Sequence, residues 1–158
     1  MSYRLLVAAA TAGSAGLLVG ALLFQYVGGL PPCPMCIWQR WPHLAAILIG
    51  VAALALPARI WAVLGAIAAA ATAGIGAYHA GVEQGWWQGP TTCTAAPIGG
   101  LSTDQLLDHI LNAPVIRCDD IAWSFLGLSM PAWNALLSLG LAGIWIAAFI
   151  ALSRRAGS

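Results

Sequence analysis

Two cysteines, Cys33 and Cys36, stand two residues apart in the stretch Pro31-Pro-Cys-Pro-Met-Cys36, which ends one long apolar run and opens the next. Thiols at that spacing either exchange disulfides or supply half of a zinc site. The other two cysteines, Cys93 and Cys118, lie far apart with room for a helix between them, so they do not form the second close pair of a zinc ribbon. The spacing therefore favours redox exchange. A thiol exchanges only as a thiolate, and Cys36, poised to precede a helix, meets two influences that lower a thiol pKa: the helix N-terminus and Arg40. Arg40 follows Cys36 by four positions and shares its face if the segment is helical; otherwise it snorkels to lipid headgroups. Pro42 bears on this, because proline fits the first turn of a helix and kinks one begun much earlier. His79 ends another apolar run and either donates a hydrogen bond to a polar ligand head or complements the dipole of its own helix.

The elements that position these residues follow from composition. The chain has 158 residues, 61% hydrophobic and 7% charged, against roughly 25% charged in an ordinary soluble domain. That describes a single membrane domain over residues 1–158, and nothing in it suits a nucleic-acid partner. A bilayer core of about 30 Å needs about 20 apolar residues at 1.5 Å rise each. Runs of about that length predict helices over 5–27, 38–56, 60–80 and 131–152, joined by loops at 28–37 and 81–130 and by a tight turn at Leu56-Pro-Ala-Arg59. The fold class expected is all-α, an integral membrane four-helix bundle. The first run is longer than the apolar part of a secretory signal and carries only Arg4 at its front, so it reads as a retained anchor.

Arg4, Arg59, Arg154 and Arg155 mark the two termini and the second connection as cytoplasmic by the positive-inside rule, and the chain has no lysine. The first and third connections then lie outside. Every acidic residue (Glu83, Asp104, Asp108, Asp119 and Asp120) falls in the third, and all four cysteines lie on the outer side, where disulfides persist. Within the third connection, Leu101-Ser-Thr-Asp-Gln105-Leu106 has the form of a capped and stapled helix start. It predicts a short amphipathic helix to about Asn112, which either lies flat on the membrane or packs on the bundle. The third run carries small residues at spacing four, Gly65, Ala69, Ala73 and Ala77, which either let helices approach closely or are low-complexity spanning sequence. Trp38, Trp41, Trp86, Trp87, Trp123 and Trp133 are expected in an interfacial belt.

Two dithiol pairs in a small membrane protein suggest a relay, with an outside protein at one pair and a membrane oxidant or reductant at the other. No flavin, haem or nucleotide motif is present, which leaves a lipid-soluble quinone as the natural redox partner.

The residues Cys33-Pro-Met-Cys36-Ile-Trp-Gln-Arg40, Tyr78-His79, Cys93, Cys118 and Trp123-Ser-Phe-Leu-Gly-Leu-Ser-Met-Pro131 resemble the disulfide bond formation protein B family over nearly the whole chain. The resemblance implies a multi-pass bundle in the bacterial inner membrane, with both termini cytoplasmic and the cysteines periplasmic. It implies reoxidation of a soluble DsbA-like thioredoxin-fold oxidase and transfer of two electrons to ubiquinone or menaquinone, which keeps the periplasm oxidising. Residue by residue, Cys93 receives the attack of the reduced oxidase, Cys118 is freed and exchanges with Cys33, and Cys36 faces the quinone with Arg40 and His79. The horizontal helix of the family's periplasmic loop matches Ser102 to Asn112. Gln39 stands where some relatives carry an acid, and Glu83 has no assigned role. The vitamin K epoxide reductase type has its close cysteine pair after the loop pair, opposite to the order here. The alternative from another class is a structural zinc-binding membrane module, with the four cysteines as ligands and no catalysis.

Overall fold

The computed structural model describes residues 2–90, 93, 102, 104, 107, 111 and 116–155. Four long helices form a bundle: α1 (Tyr3–Tyr26), α2 (Pro34–Ala55), α3 (Arg59–Glu83) and α4 (Met130–Arg155). Among the described residues α1, α3 and α4 are long and apolar enough to cross a membrane. α2 is diluted at its front by the polar residues Gln39, Arg40 and His43. The amphipathic helix expected over 102–112 lies outside the described residues except at isolated positions.

All four helices depart from their expected bounds, α2 most consequentially. It starts at Pro34 instead of residue 38, because Cys33 serves as its N-cap: the Cys33 sulfur accepts a hydrogen bond from the Cys36 backbone N–H at 3.2 Å. Pro34 stands at the first helical position, where its missing N–H costs nothing and its fixed φ suits the helix. Cys36 is thus inside the first turn, not ahead of it. The helix runs through Pro42 to Ala55, so proline does not separate Cys36 from Arg40. α3 extends to Glu83, beyond the expected residue 80, and α4 begins at Met130 and reaches Arg155.

Helices neighbour one another in chain order, α4 closes onto α1, and the α3–α4 interface is the most extensive. It is close because α3 presents small residues. Gly65, Ala69, Thr72, Ala73 and Gly76 are buried, whereas Ala77 is exposed. The spacing-four stripe therefore veers to Gly76, as a helix of 3.6 residues per turn requires. A Cβ on Gly76 would sit 2.9 Å from the Pro131 carbonyl oxygen, and one on Gly65 would run into the Trp145 indole, which is fully buried. At the opposite end from the cysteines, the Tyr3 hydroxyl donates to the Ala58 carbonyl at 3.4 Å, tying α1 to the α2–α3 turn.

Asn134 of α4 reaches across the bundle. Its amide donates to Gln39 Oε1 at 2.8 Å and to Thr72 Oγ1 at 3.1 Å, and its Oδ1 accepts from His43 Nε2 at 2.9 Å and from Ser138 Oγ at 3.3 Å. Thr72 Oγ1 in turn donates to the Gln39 carbonyl at 3.1 Å. One side chain thereby joins α2, α3 and α4. Ahead of α4, strands β1 (Ser124–Phe125) and β2 (Leu128–Ser129) form a minimal antiparallel hairpin. Leu126 and Gly127 at its tip both have positive φ, 51° and 78°, as the tight hairpin turn of the right hand demands.

Two stability outcomes follow. Gly65→Val should lower the thermal midpoint in detergent by the equivalent of ~1–3 kcal/mol, since its methyls have no space beside Trp145. Asn134→Leu should cost ~1–3 kcal/mol by the same measurement, because it strands the buried Gln39 and Thr72 groups it now satisfies.

Candidate functional site

The N-cap geometry determines the relation of the close cysteine pair. With Cys33 outside α2 and Cys36 in its first turn, the two sulfurs lie 2.9 Å apart and share a hydrogen bond while both remain free thiols. Cys93 and Cys118 are joined by a disulfide, and the Cys118 N–H donates to the Cys93 carbonyl at 2.6 Å. Cys33, Cys93 and Cys118 are all buried and pack with Met35 and Val82. The two pairs meet through Cys33: its sulfur, the Cys118 sulfur and a ring nitrogen of His79 all lie within 4.8 Å of one another. In the hydrogen bond of the close pair Cys33 Sγ donates to Cys36 Sγ, and Cys33 is pushed above the ordinary thiol range, first by the bond with Cys36 and then by burial.

Such a trio has the composition of a metal site. Here, however, the Cys118 sulfur is already bonded to Cys93 and offers no thiolate, which leaves one thiol and one imidazole. The same closeness suits transfer of a disulfide from one pair to the other, because exchange proceeds by attack of one sulfur on a neighbouring one.

Cys36 and Arg40 line a cavity of about 420 Å³ between α1, α2 and α4. Most of its wall is apolar, with Leu17, Phe24 and Leu137 among the lining residues, and its polar groups come from Gln39, Arg40, His43 and Asn134. Trp123 and Trp133 line it too, so these two tryptophans are not merely interfacial, and the β1–β2 hairpin contributes Phe125. Arg40 donates to Gln25 Oε1 at 2.6 Å, an interhelical bond that holds the guanidinium inside instead of letting it snorkel. Its Nε–H is buried without a hydrogen-bond partner, as is His43 Nδ1. An apolar cavity of this size with a held cation and an unpaired buried donor has the make-up of a small-molecule site.

His79 does not line that cavity. Gln39 stands between, its Nε2 donating to His79 Nδ1 at 3.0 Å and to the Met35 carbonyl at 3.1 Å. With Nδ1 accepting, the ring proton is on Nε2, which faces Cys33 Sγ at 3.6 Å. Sequence reasoning grouped His79 with Arg40; the structure separates them, one serving the cysteines and the other the cavity. Gln39, Thr72 and Asn134 were missed as organising residues. Their signal was available, since a polar side chain within an apolar, membrane-length helix needs an internal partner. Arg117, outside the sorting of the arginines by side, adjoins Cys118 and is paired with Asp119 at 2.7 Å and Asp120 at 3.5 Å.

Known proteins with related sequences place this arrangement. The family model described as disulfide bond formation protein DsbB matches residues 3–148. Disulfide bond formation protein B of Methylococcus capsulatus is 34% identical over 140 residues, covering 80% of this chain and 82% of that one. The protein of that name from Xanthomonas oryzae pv. oryzae is 36% identical over 140 residues, covering 83% and 80%. That of Saccharophagus degradans is 33% identical over 150 residues, covering 90% of each. No solved structure matches the chain. With a free thiol pair set against a disulfide and a family match over almost its whole length, the chain belongs to the DsbB family of disulfide bond formation proteins.

Proposed function

We propose that the protein is a protein-dithiol:quinone oxidoreductase of the bacterial inner membrane that reoxidises a periplasmic DsbA-like thiol oxidase. The observation that carries this reading is the position of Cys36, 2.9 Å from Cys33 on one side and on the wall of the apolar cavity with Arg40 on the other. All four helices would span the membrane, α2 with its polar front held by its neighbours, and the arginines at Arg4, Arg59 and Arg154 would keep the opposite end cytoplasmic.

In this reading the reduced oxidase attacks the Cys93–Cys118 bridge at Cys93 and is itself released as a disulfide. Cys93 is fully buried, so its sulfur must become accessible before the partner can attack it. With Cys33–Cys36 oxidised to a disulfide, the Cys118 thiolate attacks Cys33, within its reach, Cys36 leaves as a thiolate, and Cys93 then closes on Cys118 to release Cys33, so that two electrons pass to the Cys33–Cys36 pair. A bound quinone, ubiquinone or menaquinone, supplies the two-electron oxidant that returns this pair to a disulfide. Arg40 would hold a carbonyl oxygen through its unpartnered Nε–H, and Cys36 would present its sulfur to the ring. A DsbA-type disulfide is more oxidising than the glutathione couple, so restoring it demands a stronger oxidant, which a respiratory quinone can provide.

Purified protein with a soluble ubiquinone analogue should oxidise a reduced thioredoxin-fold oxidase, followed by the loss of quinone absorbance. Cys36→Ser should abolish quinone reduction, and full turnover by that variant would overturn the assignment. Arg40→Ala should raise the KM for quinone by about ten-fold or more, the worth of one charge-assisted hydrogen bond, while leaving exchange at Cys93–Cys118 intact. Stoichiometric zinc with four unreactive thiols would instead support a structural metal module.

A further inference from the structure

The oxidation of a thiol pair releases protons as well as electrons, and the residues named so far do not account for them. Cys33 is the donor in its bond to Cys36 and must lose its proton before its sulfur can close a disulfide. His79 is the nearest ring, but its Nδ1 lone pair is occupied by the Gln39 amide and its Nε2 faces Cys33 as a donor. Gln39 is an amide and does not ionise. Beyond them lies a second, small cavity of about 50 Å³, lined by Cys33, Cys36, His79, Glu83, Arg117 and Asp120 among others.

Glu83 is the last residue of α3, brought there because the helix runs one turn further than its apolar run. One carboxylate oxygen is engaged by Ser129 of β2; the other, Oε2, is buried and has no hydrogen-bond partner. The carboxylate is close enough to Cys36 for their charges to interact. Asp120, the other carboxylate on this cavity, is exposed and faces Arg117 at 3.5 Å.

We propose that Glu83 is the general base that accepts the Cys33 thiol proton when the Cys33–Cys36 disulfide closes, and returns it to Cys33 when that bond is reduced. When Cys36 is held in a mixed disulfide with another thiol, the Cys33 proton passes to the Glu83 carboxylate through a water in the small cavity that both groups line. Cys33 then bonds to Cys36, the mixed S–S bond breaks, and its electron pair departs with the leaving thiolate. The protonated Glu83 gives its proton to water through the small cavity, toward Arg117 and Asp120. Two thiols have then lost two electrons and two protons in all, and the oxidant, a disulfide in the test below and a quinone in the membrane, has gained the electrons. Ser129 of β2 bonds the Glu83 carboxylate and Cys36 interacts with its charge, and the other titratable or charged groups on the same small cavity are Cys33 at the start of α2, His79 on α3, and Arg117 and Asp120 ahead of β1; Met130 and Pro131 of α4 are uncharged. The physiological role rests on the thiol-exchange reading above, but the proton transfer is testable without quinone or partner.

The test uses the reduced full-length chain in detergent, with Cys93→Ala and Cys118→Ala so that only one pair reacts, and a chromogenic aromatic disulfide as oxidant. Release of the first aromatic thiolate reports attack by Cys36; release of the second reports closure by Cys33. Glu83→Gln should slow the second release by at least about ten-fold at neutral pH without slowing the first. The deficit should shrink as rising pH deprotonates Cys33 directly, and Glu83→Asp should recover part of the rate. Equal second-phase rates in Glu83→Gln and its parent, or a deficit that does not change with pH, would overturn the proposal. Quinone reduction by the unaltered chain stands or falls separately, so a failed proton role and a failed oxidoreductase assignment give different results.

Discussion

The cysteine end of this molecule depends on where α2 begins. A helix leaves its first N–H groups without partners, and an ordinary solution is a serine or aspartate oxygen at the N-cap. Here the cap is the Cys33 sulfur, and the N–H it satisfies belongs to Cys36. That single bond sets the separation of the two reactive sulfurs, puts Cys36 in the first turn, and puts Arg40 one turn further along. Had α2 started at Trp38, Cys36 would belong to the connection and its distance from Arg40 would be governed by loop geometry. Starting at Pro34, the helix makes the pair and the guanidinium parts of one rigid element.

A rigid element still has to be held at one rotation about its axis. The front of α2 carries polar groups on two sides, and each is matched by a different neighbour. Arg40 reaches Gln25 on α1, while Gln39 engages His79 on α3 and Asn134 on α4. Turning α2 about its axis would break the Gln39 bonds to both neighbours and leave amides unpaired in apolar surroundings, at a cost of ~1–3 kcal/mol for each group. The polar network thus acts as a register device, and a consequence is that His79 is held away from the cavity and against Cys33.

Much of this was legible in the sequence, for identifiable reasons. Apolar runs of bilayer length announce helices, and the Cys33-Pro-Met-Cys36 spacing with two further cysteines announces thiol chemistry. The start of α2 was misread because a sulfur was not considered as a cap, although Pro34 at the first helical position was the cue. His79 was grouped with Arg40 because both were read at the same level, and level in a bundle says nothing about which side of Gln39 a residue occupies. Ala77 was included in the small-residue stripe by counting in fours, whereas helix geometry brings Gly76 to the interface. The hairpin was invisible to periodicity because each strand has only two residues. It nonetheless delivers Phe125 to the large cavity and Ser129 to Glu83.

The two cavities share Pro31, Cys36, Ala122, Trp123, Met130 and Pro131 in their linings, and of these only Cys36 carries a thiol. The partition matters because electrons and protons leave a dithiol under different constraints. An electron pair moves when a sulfur forms or breaks a bond, so it needs contact with the acceptor, and an apolar, fitted cavity favours that contact. A proton needs a chain of acid–base groups leading to water, and an apolar cavity obstructs one. The large cavity offers Cys36 a close-fitting wall and one fixed cation. The small one brings to the pair the Glu83 carboxylate and the charged side chains of Arg117 and Asp120. Cys36 is the common wall and Cys33 caps the helix behind it, so the pair stands between an apolar cavity holding a cation and a smaller one lined by charged side chains, two settings in which a charge at sulfur is screened to different degrees.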